Sequence, residues 1–445
     1  MMKKHLTNLL TSERHIIITG LSRSGKSTLL TSLMAQLSEH ANPAGEINRL
    51  PFLTRIPANR LVSARLVESD EAPNFDFAAN LAQLQQRQWP QATTRISQFT
   101  LELSLKRPHA WQQALLGDEV HRFIIYDYPG EWLMDLSLAD LSYSDWSAHV
   151  LAQQTSEPQL SHAQSWLAML NGFDFDLPVS SLYSDHLVHS YQQYLQQAKA
   201  DGISRLQPGA LLLTPPDPAH LIGRFCPLPA KVLAQPNHPW LLHFQQRYQD
   251  YLEAWVKPLR DTYFRRAQQQ IVLLDLFEGL AFGRAYLAEM QESLNQLMSG
   301  FIYGKRRWYE KLHKPVSIEQ VIFVASKCDL VPLSQQPRLL SLLKHVSQGA
   351  SQQLGAQQIA FDHLLLSALV ATKPDADNPQ ALRYKHPDGN THQVEFDPIP
   401  ERIHELNEQG VYPLIHCLPP LIHQASDFHT MHLDQLLNRI MGDES

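Results

Sequence analysis

The sequence predicts an α/β fold, a doubly wound and mostly parallel sheet carrying a large, mostly helical insertion. Three observations carry that expectation. Short apolar, β-branched runs alternate with helix-compatible stretches, as in a parallel sheet covered on both faces. One such run, His15 to Thr19, passes through a glycine-bounded loop into a helical pattern. About 140 residues, from Tyr126 to Ile271, then go by without another convincing buried strand. With 44% hydrophobic and 18% charged residues, the 445-residue chain has material for several cores. Its 18 glycines and 29 prolines are ordinary for a folded protein and exclude collagen-like or low-complexity chains. A balance of 37 basic against 44 acidic side chains gives no general electrostatic footprint for nucleic acid, and no nucleic-acid partner is expected.

The first element is the run His15-Ile16-Ile17-Ile18-Thr19, closed by Gly20 and followed by a helical stretch from Ser27 to Leu37. A second strand is expected where Phe99, Leu101, Leu103 and Leu105 alternate with Thr100, Glu102 and Ser104. Phe123-Ile124-Ile125-Tyr126 is apolar on both faces, as are Ile271 to Leu274, Val321 to Ala325 and His363 to Leu366. Between them, Leu187, Tyr191, Tyr194, Leu195 and Ala198 recur at helical spacing. Phe244, Tyr248, Tyr251, Leu252, Trp255 and Leu259 form another stripe, which Pro258 should kink or end. Thr214 to Pro239 holds many prolines and reads as an ordered, irregular wrap. Leu287, Met290, Leu294 and Leu297 mark a later helix, and His386-Pro387-Asp388-Gly389-Asn390 separates two strand-like runs as a hairpin turn would. The expected division is a core in two parts, 1–131 and 269–445, with a helical insertion domain over 132–268. The second part includes the hairpin and a C-terminal helix.

Three motifs point to chemistry. Gly20-Leu21-Ser22-Arg23-Ser24-Gly25-Lys26-Ser27 matches GxxxxGK[ST] between a strand and a helix, so the segment Ser22 to Thr28 is expected to cradle phosphates. Lys26 would reach the β- and γ-phosphates, and the Ser27 hydroxyl would bind Mg²⁺. The apolar strand at Phe123 ends in Asp127-Tyr128-Pro129-Gly130, a DxxG element. Asp127 suits a Walker-B carboxylate serving Mg²⁺, and the Gly130 amide suits a γ-phosphate contact. Val321 to Ala325 runs into Ser326-Lys327-Cys328-Asp329, the KxD part of the element that separates GTPases from other P-loop proteins. There Asp329 would accept from guanine N1–H and the 2-amino group together, and Lys327 would lay its stem along the base. Ser326 stands where Asn or Thr is usual. Ser367-Ala368 resembles the SA of a guanine-specific loop, with Leu369 in place of lysine. Together these motifs give the fold expectation its sharper form, a P-loop GTPase core with the insertion placed after DxxG. GTP or GDP and Mg²⁺ are the expected cofactors.

The chain resembles the YcjX-like family of bacterial P-loop GTPases over nearly its whole length. The resemblance rests on GLSRSGKST at 20–28, Trp89-Pro90 followed by Thr93, DYPGEW at 127–132, Phe225-Cys226-Pro227-Leu228-Pro229, and SKCDLVP at 326–332. It implies a Ras-like core with a helical domain and an association with stress responses. A switch threonine for Mg²⁺ and the γ-phosphate should precede the strand at Phe99. Thr93 and Thr94 both qualify, and the resemblance favours Thr93.

The position after DxxG, usually a water-orienting Gln, is Glu131. A carboxylate there can orient water but adds negative charge beside the γ-phosphate, so slow hydrolysis is expected. Arg23, Arg87 or Arg95 could neutralise transition-state charge. The 22 histidines show no metal-ligand spacing beside cysteines or carboxylates, and no zinc site is expected. The three cysteines are too few and scattered for a disulfide scaffold. MMKKHLTNLL opens like a signal peptide, but its apolar stretch is too short. The expectation is a cytoplasmic protein with an N-terminal helical turn and no transmembrane segment, with peripheral membrane association left open. Its reading is a GTP-binding conformational switch with an unidentified protein partner or regulator. A P-loop small-molecule kinase and a nucleotide-binding module without significant hydrolysis are the alternatives.

Overall fold

The computed structural model describes residues 11–20, 24–40, 61–67, 73–91, 96–128, 130–132, 134–201, 203, 206–212, 224–299, 318–408, 410 and 412–441. Within them, a few side chains at element ends, Glu131 among them, are not described. The expected N-terminal helical turn lies outside these residues, as does the Thr214–Pro239 wrap up to residue 223.

Among the described residues, seven strands form the main sheet. They are β1 (Thr11–Gly20), β2 (Leu61–Val67), β3 (Ser97–Leu105), β4 (Glu119–Asp127), β5 (Gln269–Leu274), β6 (Gln320–Ala325) and β7 (Ala360–Leu365). Their order is β2-β3-β4-β1-β5-β6-β7. From β4 to β7 every neighbouring pair is parallel, while β2-β3 and β3-β4 are antiparallel. The fold is therefore α/β on a mostly parallel, mixed sheet. Successive strand residues face opposite sides, and here they divide between two cores. Ile17, Val272, Leu274, Val321 and Phe323 join Leu287, Met290, Leu294, Leu339 and Leu343 from the helices Arg284–Ser299 and Gln336–Val346. Ile16, Ile18, Ile271, Leu273, Ile322 and Val324 join Leu29, Leu33, Leu436 and Ile440 from the helices Lys26–His40 and Leu433–Met441. Helices on both faces explain why the strands read as unbroken apolar runs.

Strand β2 was not expected from the sequence. It is tied to the sheet by charge as much as by apolar burial. Glu102 on β3 stands opposite Arg65 on β2 and Arg122 on β4. Arg65 Nε and Arg122 Nε donate to its two oxygens at 2.6 and 2.8 Å. Burial pushes the Glu102 carboxyl up, but the two arginines outweigh it and hold the group below its ordinary range.

Between β4 and β5 the described residues are mostly helical. Helices Tyr143–Gln153, Gln159–Gly172, Ser181–Ala200 and Pro239–Tyr251 enclose a third apolar cluster that includes Trp146, Trp166, Trp240, Phe225, Tyr191 and Tyr248. Buried tyrosine hydroxyls need partners. Tyr143 donates to the Cys226 carbonyl at 2.8 Å, and Tyr191 donates to that of Gln207 at 2.6 Å. The Phe225–Pro229 segment is thus interior, its Leu228 amide held by Ser147 Oγ at 2.8 Å. Pro258 does not end its helix. Turns Leu252–Val256 and Leu259–Tyr263 on either side widen to π geometry. Such a widened turn accommodates a residue that lacks the N–H for a regular bond. Trp132 and Leu136 join the first sheet core, not the helical cluster, so the apolar boundary falls near Leu138.

A small second sheet, β8 (Thr372–Pro374), β9 (Ala381–Lys385) and β10 (Thr391–Glu395), follows β7. Strands β9 and β10 are antiparallel and flank the His386–Asn390 turn.

Candidate functional site

The five mutually parallel strands of the main sheet end on the same side of the molecule. Their C-terminal ends lead to Gly20, Asp127, Asp275, Ser326 and Leu366. This edge of an α/β sheet is where ligands bind. A cavity of about 610 Å³ opens there, within the range of small-molecule sites.

One end of the cavity is lined by Gly20 and by Ser24 to Leu29. Gly25 has φ +82°, which a side chain rarely tolerates, and a Cβ on Gly20 would lie 2.2 Å from Ser24 Oγ. Gly25 is thus required by its backbone conformation, and a side chain at Gly20 would force Ser24 Oγ to move. The Gly25 carbonyl accepts from Leu29 N at 2.9 Å, opening the helix whose positive end faces the cavity. Lys26 Nζ sits 2.8 Å from Asp127 Oδ1 and donates to the Tyr128 carbonyl. Asp127 is buried behind Lys26 and is not part of the lining, whereas Gly130 is. The Ser27 hydroxyl and the Asp127 carboxylate are hard oxygen donors of the kind Mg²⁺ takes, so the residues present fit that ion. Ser22, Arg23, Thr93, Thr94 and Arg95 lie outside the described residues, and so does the Glu131 side chain.

The other end is built by the segments after β6 and β7. Lys327 adopts a left-handed conformation at φ +58°, and its Nζ donates to Asp275 Oδ2 at 2.5 Å. The second Asp275 oxygen caps the helix Leu276–Phe282 through Phe277 N at 3.0 Å, so the carboxylate is fixed on both sides. Burial works against the Lys327 ammonium, but Asp275 and then Glu278 outweigh it and hold its pKa above the ordinary lysine value. Asp329 is buried and faces Ser367 and Ala371. Ser367 Oγ donates to Oδ1 at 2.6 Å, and Ala371 N donates to Oδ2 at 2.9 Å. Burial raises the Asp329 carboxyl, and these two donors oppose that rise. The Ser326 hydroxyl donates to the Leu274 carbonyl at 3.2 Å, anchoring the loop to β5. Ala368 lines the cavity, and so does the edge of Leu369, whose side chain is buried among Ala35, Leu84, Ile422 and Phe428.

Sequence reasoning missed several lining residues. Asp275 and Glu278 had a positional signal, since they follow a buried parallel strand. The strap Leu414-Ile415-His416-Cys417, which walls the cavity with Lys327 and Asp329, had none. Trp89, noticed only as part of a motif, lines the cavity, and its Nε1 donates to the Cys417 carbonyl at 2.7 Å. Arg87 Nε donates to the Pro419 carbonyl at 3.2 Å. That bond ties Arg87 to the segment just after the strap through one of its donors.

A glycine loop between the first parallel strand and a helix, with a lysine at the helix start and a carboxylate on the neighbouring strand end, is the arrangement of P-loop α/β proteins. Residues 15–444 match the model of the YcjX-like family, DUF463, and the chain belongs to that family. It is 30% identical to "Ras-like GTPase YcjX" of Escherichia coli K12, across 81% of this chain and 79% of that protein. It is 28% identical to "Ras-like GTPase YcjX" of Shewanella oneidensis MR-1, across 98% and 95%. Among the described residues, no helix is long and apolar enough to cross a membrane.

Proposed function

We propose that this chain binds GTP and GDP with Mg²⁺, hydrolyses GTP slowly, and serves as a nucleotide-gated switch in the stress-related setting that the family resemblance implies. The observation that carries the reading is the Asp329 carboxylate, buried at the far end of the cavity from the phosphate loop and oriented by Ser367 and Ala371. Each carboxylate oxygen has two lone pairs. Ser367 and Ala371 each take one, the Asp329 backbone N–H also donates to the group, and the N1–H and 2-amino donors of guanine would take the capacity left over. Adenine offers an acceptor at N1 and no 2-amino group, so it would leave buried acceptors unmet, a heavy penalty in a polar site.

At the phosphate end, the backbone around Ser24 to Thr28 and the helix start would hold phosphate oxygens. Lys26 would turn from Asp127 toward the β- and γ-phosphates. Ser27, Asp127 and Thr93 would hold Mg²⁺, which neutralises phosphate charge when bound. The Gly130 amide would report the γ-phosphate, and Glu131 would orient water, its own charge keeping the rate low. We further propose that residues 132–268 act as an insertion domain between core parts 1–131 and 269–445. Its relation to the switch is supported by Trp132, which meets Trp255 edge-on at 4.4 Å between ring centroids just after DxxG.

Calorimetric titration tests the reading. GDP should bind with Mg²⁺ at least about 100-fold more tightly than ADP, and Lys26→Ala should abolish both. Asp329→Asn should weaken GDP by roughly 10- to 100-fold, the worth of charge-assisted hydrogen bonds, and improve xanthine nucleotides. Equal affinity for ADP and GDP would sink it.

A further inference from the structure

The turn between β9 and β10 carries a cluster that the nucleotide site does not use. Its backbone is closed by His386 N donating to the Asn390 carbonyl at 3.0 Å and Gly389 N donating to that of His386 at 2.9 Å. Asn390 N donates to Asp388 Oδ1 at 2.7 Å, which pins that carboxylate. The free face of the carboxylate, Oδ2, lies 3.2 Å from His386 Nδ1 and 2.8 Å from His392 Nε2. The two imidazoles lie one over the other, with centroids 4.5 Å apart and planes at 28°. The expectation that no histidine stands in ligand spacing does not hold here, because the turn closes His386-x-Asp388-x-x-x-His392 on itself.

We propose that His386, Asp388 and His392 bind one borderline divalent transition-metal ion of the zinc class. Two imidazoles and one carboxylate suit zinc, nickel or copper and not magnesium, so this site is distinct in chemistry from the phosphate end. One ligand atom from each residue lies within 4.8 Å of the others. Tetrahedral zinc with bonds of about 2.0–2.1 Å spaces its ligands about 3.3 Å apart, so closing the site takes shifts on the order of 1 Å. The three side chains are 33–41% exposed, so the rings can turn toward one ion without disturbing a core, the ion replacing the 3.3 Å bond that His386 Nδ1 accepts from Asp388 N. The remaining coordination positions face water, which makes the ion exchangeable.

Its effect would be mechanical. A three-stranded sheet this small is only marginally stable, and an ion joining His386 to His392 would clip its tip. Pro387 of the same turn lines the nucleotide cavity, and the Lys385 carbonyl accepts from Leu418 N of the strap at 2.7 Å. The clip would therefore stiffen the wall beside the base end.

The test uses the full chain stripped with a chelator and titrated with ZnCl₂ by calorimetry. Co²⁺ absorption reports the ligand field, and the metal-free thermal midpoint serves as the folding control. Wild type should bind one equivalent that His392→Asn weakens by roughly 100-fold. Asp388→Asn keeps an oxygen for Asn390 N but loses the charge, and should weaken binding by roughly 10-fold or more with the midpoint unchanged. Because 22 histidines give background binding, the difference between wild type and variant is the readout. Absence of a stoichiometric site in wild type, or equal zinc binding by wild type and either variant, would overturn the proposal.

Discussion

Asp135 is a carboxylate buried three residues after the tryptophan that follows DxxG. Its Oδ2 accepts from Tyr251 Oη at 2.7 Å and from Gly209 N at 2.8 Å, while Oδ1 has no hydrogen bond among the described residues. Burial pushes the group up to about 7, against the partial help of Tyr251 and Gly209. In the unfolded chain it titrates near 3.8. Between those values the folded state keeps a proton that the unfolded state has lost, so stability falls as pH rises from about 4 to about 7 and levels off above. The neighbouring Tyr191 and Tyr248 stay protonated throughout, being pushed up by burial themselves. Asp135→Asn should remove this component. The thermal midpoint of wild type should drop several degrees more than that of the variant between pH 5.5 and 8, and identical pH slopes would refute the assignment. At this scale the sequence was legible where chemistry is local. Gly25-Lys26-Ser27 and Lys327-Cys328-Asp329 can be read because neighbours in the chain act together. Asp135, Asp275 and the His386 cluster could not be assigned roles, because their meaning comes from what the fold sets against them.

The parallel strands were legible at the scale of elements because burial on both faces leaves a continuous apolar run. Strand β2 was not, since it is an edge strand held by an Arg65–Glu102–Arg122 row whose residues read as ordinary surface charge. Of the two outcomes expected at Pro258, a kink or an end, the helix does not end, because π turns on either side absorb the proline. The strap after the second sheet has no periodicity to find, and its place over the cavity depends on contacts more than 300 residues distant in sequence, Trp89 to Cys417 and Arg87 to Pro419. Those bonds link the strap to the segment just before the proposed switch threonine. Trp89→Phe removes the indole donor and keeps an aromatic ring. One hydrogen bond is worth about 1 kcal/mol, so dissociation of a fluorescent GDP analogue, followed by stopped flow, should quicken by about 3- to 10-fold. An unchanged rate would show that the latch does not restrain nucleotide.

For the whole molecule, the issue is whether the helical body moves with the nucleotide. Packed elements shift between discrete arrangements, and the Trp132–Trp255 contact joins the DxxG side to the far end of that body. Hydrogen exchange in the GDP and non-hydrolysable GTP-analogue states should differ within residues 140–256 as well as around Asp127–Trp132. A difference confined to the latter would leave the body out of the mechanism. The cavity, meanwhile, draws its walls from distant parts of the chain, from Ser24–Leu29 through Trp89, Asp275, Asp329 and Ser367 to Leu414–Cys417. That scatter bears on how the protein is made. A growing chain has the phosphate loop early but gains the base wall only when the strap has been translated. A ligand stabilises only the form it binds, so the nucleotide proposed above would favour chains that include the strap over those that end before it. Synthesis that stops short of Cys417 would yield a chain with phosphate contacts and no such protection.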